Sequence, residues 1–135
     1  SYEMYEKYEG LRMGTLTIIL TDGPYISQYA EMACKIAKAA LKTKEHRVNI
    51  FLYLDAVHIP KAGQNPAFFA NAGELFAELA RLGAKVEACP RCANARGYAP
   101  EGGKSEDYVD GIKITSLYRL AEMLAESDRV VTLAR

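Results

Sequence analysis

Two thiols stand three residues apart in the stretch Ala88-Cys89-Pro90-Arg91-Cys92-Ala93-Asn94-Ala95-Arg96-Gly97. The residue pattern puts them where a buried strand ends and a helix or loop begins. Such a switch exposes a side chain above a sheet edge and offers backbone N–H groups to an anion, and a thiolate is an anion. Arg91 and Arg96 add positive charge nearby. A sulfur held there has the surroundings of a nucleophile.

A C-x-x-C supports several chemistries. It makes a dithiol–disulfide pair when both sulfurs meet across one helical turn. That arrangement normally follows the first strand of a thioredoxin-like unit, whereas here it follows the third. It also makes half of a zinc site, but zinc takes four ligands. The chain has no second C-x-x-C and no H-x-x-x-H. Cys34 lies among alanines in a helical pattern, and His46 and His58 are far apart, so no metal is expected. A persulfide carrier needs one accessible, partly ionised thiol beside positive charge. The plainest alternative is a pair of small core residues, against which Pro90 and the arginines argue for a turn.

The elements around the motif alternate. Leu16-Thr17-Ile18-Ile19-Leu20-Thr21 reads as a buried strand that stops at Asp22-Gly23-Pro24. A helix follows from Tyr29 to Lys42, and a second strand from Val48 to Leu54. Asp55 to Pro66 is a loop containing His58. Ala67 to Leu82 has helical spacing, with Phe69, Leu75, Phe76, Leu79 and Leu82 as core candidates and Gly83 as its cap. The third strand runs from Ala84 to Cys89. After a polar, Gly-rich stretch come Ile112-Lys113-Ile114, a helix from Leu117 to Glu126 capped by Ser116, and a last strand from Arg129 to Leu133. This order predicts a three-layer α/β sandwich with a mostly parallel five-stranded sheet and helices on both faces.

Ligands in such folds sit at the carboxyl ends of the strands. Three loops should meet there: Asp22 to Gln28, Asp55 to Gln64 and Cys89 to Gly97. Tyr25 and His58 are therefore candidates to wall the thiol pocket. Neither Asp22-Gly23-Pro24-Tyr25 nor Gly102-Gly103-Lys104-Ser105 has the spacing of a phosphate-binding loop, so no nucleotide cofactor is expected.

Composition narrows the classes. The 135 residues are 50% hydrophobic, enough for one domain with a real core. Lys+Arg and Asp+Glu balance at 17 each, which gives no broad attraction to nucleic acid or anionic membrane. No apolar run is long enough to span a bilayer. The 3 cysteines, an odd number, do not suggest a secreted disulfide scaffold, and a reducing cytoplasm is expected. Residues 1–14 read as a tyrosine-rich, charged N-terminal extension and 15–135 as a single domain. Tyr2, Tyr5, Tyr8, Tyr98, Tyr108 and Tyr118 need not all reach one small core, which points to an interface.

The chain also resembles the DsrE family of intracellular sulfur-transfer proteins. In one branch a strand-end cysteine is followed eight residues on by the Gly of an Arg-Gly pair, as Cys89 is by Arg96-Gly97. Thr21-Asp22-Gly23-Pro24-Tyr25, Ile114-Thr115-Ser116-Leu117 with Leu120-Ala121-Glu122, and Ser127-Asp128-Arg129-Val130-Val131 are similar to further family segments, over roughly Leu16 to Leu133. The resemblance implies a flavodoxin-like domain packed into homotrimers or homohexamers, or with homologous subunits. It implies a cysteine that accepts sulfur as a persulfide from a donor protein and relays it to an acceptor protein, with no cofactor. Cys89 takes that place by position. Cys92 has no counterpart in that branch and leaves the carrier open between the two thiols. Arg91 and Arg96 are the expected anion stabilisers. A non-catalytic structural subunit, a dithiol redox module and a small-ligand module are the rival readings.

Overall fold

The computed structural model describes residues 14–43 and 46–135. Residues 1–13 of the expected extension, with Tyr2, Tyr5 and Tyr8, lie outside them. The elements run β1 (Thr15–Leu20), α1 (Tyr29–Leu41), β2 (Arg47–Leu52), a short 3-10 helix (Leu54–His58), α2 (Ala72–Arg81), β3 (Lys85–Ala88), α3 (Pro90–Ala95), β4 (Ile112–Ile114), α4 (Leu117–Glu126) and β5 (Arg129–Leu133). The sheet order is β4-β3-β2-β1-β5, and every neighbouring pair is parallel.

This order fixes the layers. The chain steps from β1 through β4 toward one edge, then crosses back to place β5 beside β1. Right-handed crossovers put α1 and α2 on one face and α4 on the other. The Lys38–Glu78 ion pair at 3.1 Å joins α1 to α2. On the opposite face the Thr17 hydroxyl donates to the Met123 carbonyl of α4 at 3.4 Å.

The two faces differ in chemistry because strand side chains alternate. Ile18, Ile50, Val86 and Ile112 are in register, as are Leu20, Leu52, Ala88 and Ile114 between the same strands. This apolar face meets Ala33 and Ala37 of α1 and Phe76 and Leu79 of α2, all fully buried. The α4 face carries Thr17, Asn49 and Glu87, also buried. Asn49 Nδ2 donates to Glu126 Oε1 at 3.0 Å and to Thr17 Oγ1 at 3.3 Å. The Thr17 and Ser127 hydroxyls share a short hydrogen bond. Arg119 Nε meets Glu87 Oε2 at 3.1 Å. Helix α4 buries only Met123. One such side chain contributes about 1.5–3 kcal/mol, and with Leu120 packed partly on the core and Phe51 buried on this face, the polar network shares with them the placing of α4.

Local signals explain most helix limits. Ser116 caps α4 by accepting the Arg119 N–H at 3.0 Å, as expected. Gly83 adopts φ 107 just past α2, a conformation that favours glycine. The start of α2 differs from the expected Ala67. Asn71 accepts the Glu74 N–H at 3.1 Å and caps the helix there, so residues 67–71 stay outside it. Phe69 therefore lies at the surface, not in the core, and Leu82, past the last turn, is also exposed. The expected loop from Asp55 begins as the 3-10 helix.

Arg119→Met would leave the Glu87 carboxylate buried without its partner. The expected loss is about 3 kcal/mol, and Glu87→Leu added to it should restore most of that. Urea unfolding of the two variants checks this.

Candidate functional site

The three expected loops converge at the carboxyl ends of β1, β2 and β3. The Ala56 N–H donates to the Thr21 carbonyl at 3.2 Å, which joins the first loop to the second. The Cys89 N–H donates to the Leu52 carbonyl at 3.0 Å, which carries the ladder one residue past β3. Pro90 then opens α3, where its missing N–H costs nothing. Cys89 occupies the cap position and Cys92 lies one turn in.

The Cys89 thiol lies near enough to raise the pKa of Cys92. Cys92 Sγ also accepts the backbone N–H of Leu54 at 3.2 Å. Leu54 holds φ 52, a left-handed conformation that is rare for a leucine. Its side chain is largely outside the core, so packing does not demand that backbone. The conformation aims the N–H at the sulfur. The donor the structure gives the thiol pair is thus the second loop, not the start of α3, and the Cys89 side chain makes no capping bond.

Both sulfurs are buried: Cys89 is 1% exposed and Cys92 is 7%. This corrects the expectation of an accessible, partly ionised thiol. Burial pushes the Cys92 thiol above its ordinary value, and the Cys89 thiol pushes it the same way. The Leu54 N–H and the Arg96 guanidinium pull it down, but burial prevails.

Arg96 ties the third loop to the second. Its Nε meets Asp55 Oδ1 at 2.7 Å, and its Nη1 donates to the Cys92 carbonyl at 3.1 Å. The guanidinium holds the Asp55 carboxyl below its usual range. Gly97 follows with φ 88, which turns the chain back so that the Tyr98 N–H reaches the Ala93 carbonyl at 2.9 Å. The Arg-Gly pair therefore has a plain physical role: one residue latches the loop and the next reverses it.

That reversal builds an aromatic wall. The Tyr98 hydroxyl bonds His58 Nδ1 at 2.6 Å, and the two rings meet edge to face. Tyr108 stacks obliquely on Tyr98 at 4.9 Å and donates its hydroxyl to the Val57 carbonyl at 2.5 Å. Burial raises both phenols above their ordinary values. Tyr98 and Tyr108 are thus core residues of their own chain, not the interface aromatics expected. Tyr118 is exposed.

Of the residues singled out in sequence, Cys89, Cys92, Arg96 and His58 come together. Tyr25 does not join them. Its hydroxyl donates to Gln64 Oε1 at 2.5 Å and accepts the Ala72 N–H at 3.1 Å, and its ring lies against Phe69. Arg91 is exposed on α3. Leu54, Asp55, Tyr98 and Tyr108 were missed. Only the tyrosines left a trace in the sequence, and that trace was read as an interface. Cys34 is buried on α1, as its alanine neighbours suggested. Among the described residues no group of His, Cys, Asp or Glu side chains is placed to hold a metal. No helix among them is long and apolar enough to cross a membrane.

The DsrE/DsrF-like family model matches residues 15–133, nearly the whole chain. The chain belongs to the DsrE/DsrF-like family. An uncharacterized protein of Methanocaldococcus jannaschii is 38% identical over 116 residues, which cover 86% of this chain and 96% of the relative. A second uncharacterized protein, from Methanopyrus kandleri, is 34% identical over 116 residues, 86% of this chain and 91% of its own length. The crystal structure of the YchN protein from E. coli has the same fold, with a TM-score of 0.79 and 24% identity over 90% of this chain and 100% of that one. The five-stranded α/β architecture is thus that of DsrE-like proteins, and family membership supports a role of the sulfur-relay type.

Alkylation needs the thiolate, and the Cys92 thiol is raised above the ordinary 9.0. Its iodoacetamide labelling, read by peptide mass mapping, should be slow at neutral pH and climb only above that value. Arg96→Ala removes a positive charge that stabilises the thiolate, so the midpoint should move higher still.

Proposed function

We propose that this protein is a sulfur carrier that takes sulfane sulfur as a cysteine persulfide at the C-x-x-C and hands it to a thiol of a partner protein. The observation that carries this reading is the placement of Cys92 Sγ. It sits at the strand ends with a backbone N–H donor at 3.2 Å, a second thiol one helical turn away and the Arg96 guanidinium on the Cys92 carbonyl. Resemblance in sequence points to Cys89 by position. The donor N–H and the greater exposure point to Cys92, and Cys92 is the sulfur we assign.

The Cys92 thiolate attacks the outer sulfur of a donor persulfide. A bond forms between Cys92 and that sulfur, the donor S–S bond breaks, and the donor leaves as a thiolate. The Leu54 N–H and the Arg96 guanidinium favour the attacking thiolate. An acceptor thiolate then removes the outer sulfur by the same exchange and leaves Cys92 as thiolate again.

Burial sets a condition on this cycle. Sulfur exchange between proteins needs contact, so the cover over Cys92 must open at the Asp55–Arg96 pair when a partner docks, while the Leu54 N–H stays on the sulfur. The Asp55–Arg96 pair is the exposed latch on that movement. Donor and acceptor proteins of a reducing cytoplasm are the partners that fit free thiols. Exposed Phe68, Phe69 and Tyr118 suit assembly into a homotrimer or homohexamer, or with homologous subunits.

Intact-mass spectrometry after incubation with glutathione persulfide tests the reading. Cys89→Ser should gain about 32 Da, reversible by dithiothreitol, while Cys92→Ser gains nothing. Gain by Cys92→Ser and loss in Cys89→Ser would move the site to Cys89. No adduct in either variant or in the wild type would end the carrier reading.

A further inference from the structure

The second thiol is placed for a reaction that simple relay does not use. Cys89 and Cys92 hold the cap and third positions of one helical turn, and Pro90 fixes the backbone between them. Cα atoms so spaced in a helix lie about 5 Å apart. That falls inside the roughly 4.4–6.8 Å window of unstrained disulfides. At that spacing closure needs rotation of side chains rather than movement of the chain. Cys34 cannot serve in place of Cys89, because it lies on α1 beside Lys38 and Glu78.

We infer that Cys89 resolves a persulfide on Cys92, releasing hydrosulfide and closing a Cys89–Cys92 disulfide. The inference rests on the carrier reading for its substrate, but the dithiol–disulfide couple stands on its own geometry. The Cys89 thiolate attacks Sγ of Cys92, and the S–S bond between the two cysteines forms. The bond from Cys92 to the sulfane sulfur breaks, and its electron pair leaves with hydrosulfide, which takes up the proton that Cys89 lost. The sulfane sulfur is reduced by two electrons, and the two cysteine sulfurs supply them. A dithiol reductant then restores the pair.

Geometry sets which fate wins. Cys89 is held one helical turn from Cys92, and a neighbour held in place acts at an effective concentration no docking protein matches. Acceptor transfer therefore succeeds only when a bound partner displaces Cys89 or reaches the persulfide first. Without an acceptor, the protein turns persulfide into hydrosulfide at the expense of a dithiol. Its activity is then persulfide reduction as well as relay.

The test uses the whole chain with glutathione persulfide and no acceptor, followed by intact mass and sulfide release. Wild type should end about 2 Da below its reduced mass and release one equivalent of hydrosulfide, whereas Cys89→Ser and Cys89→Ala should hold the extra sulfur and release none. A wild type that holds the sulfur as long as these variants overturns the inference and leaves the carrier reading intact. Equilibration in glutathione redox buffers without any sulfur donor separates the two claims. A 2-Da loss in wild type that is absent from both Cys89→Ser and Cys92→Ser supports the couple even if no sulfur loads. Its absence overturns the couple.

Discussion

The hydrogen bond from the Leu54 N–H to Cys92 Sγ is the constraint on which the rest of the site depends. It joins the end of β2 to α3 across the top of the sheet. Leu54 must leave the extended region to make it, and a left-handed non-glycine residue costs of order 1–3 kcal/mol. The surrounding bonds hold it there. The Tyr53 N–H is fixed on the Leu20 carbonyl at 2.9 Å, and the Ala56 N–H on Thr21. With both sides pinned to β1, the peptide between them has little freedom except to face the sulfur. The strain is thus paired with a backbone donor that favours a negative Cys92.

The sheet makes that pinning possible. Its parallel register brings the ends of β1, β2 and β3 to one level, and the apolar face locks α1 and α2 against it. The opposite face is held by charge and hydrogen bonds around Glu87, Asn49 and Arg119. Glu87 and Asn49 are buried polar groups that need their partners to be tolerated at all. The chain therefore separates two tasks. Rigid apolar packing sets the height of the strand ends, and a polar network helps set the place of α4.

Burial of the thiols is a compromise between protection and reactivity. A dry sulfur resists oxidation and stray exchange, yet its thiolate is disfavoured. A thiolate formed there is also a stronger nucleophile than one whose pKa is low. The exposed Asp55–Arg96 pair lies over this site in the loops a partner would meet. An exposed pair is worth little to stability, so a docking protein gives up little by breaking it. In the relay we propose, reactivity is in this way tied to contact.

The sequence by itself determined the alternation of strands and helices, the parallel layers and the strand-end position of the C-x-x-C. Those features follow from local rules: β-branched runs, the helical spacing of alanines, and caps such as Ser116 and Gly83. The cap at Asn71 was equally local but lay inside a run whose apolar spacing looked helical, so Phe69 was misplaced. Only the tertiary structure decided what surrounds the sulfurs. Leu54 carries no chemical signal, because its contribution is a backbone N–H aimed by an unusual φ. Asp55 meets Arg96 from 41 positions away. Tyr98 and Tyr108 became core residues because a positive φ at Gly97 folds the chain back over His58. Side-chain types and short spacings are written in the sequence. Which groups face one another across three separate loops is set by sheet order and register.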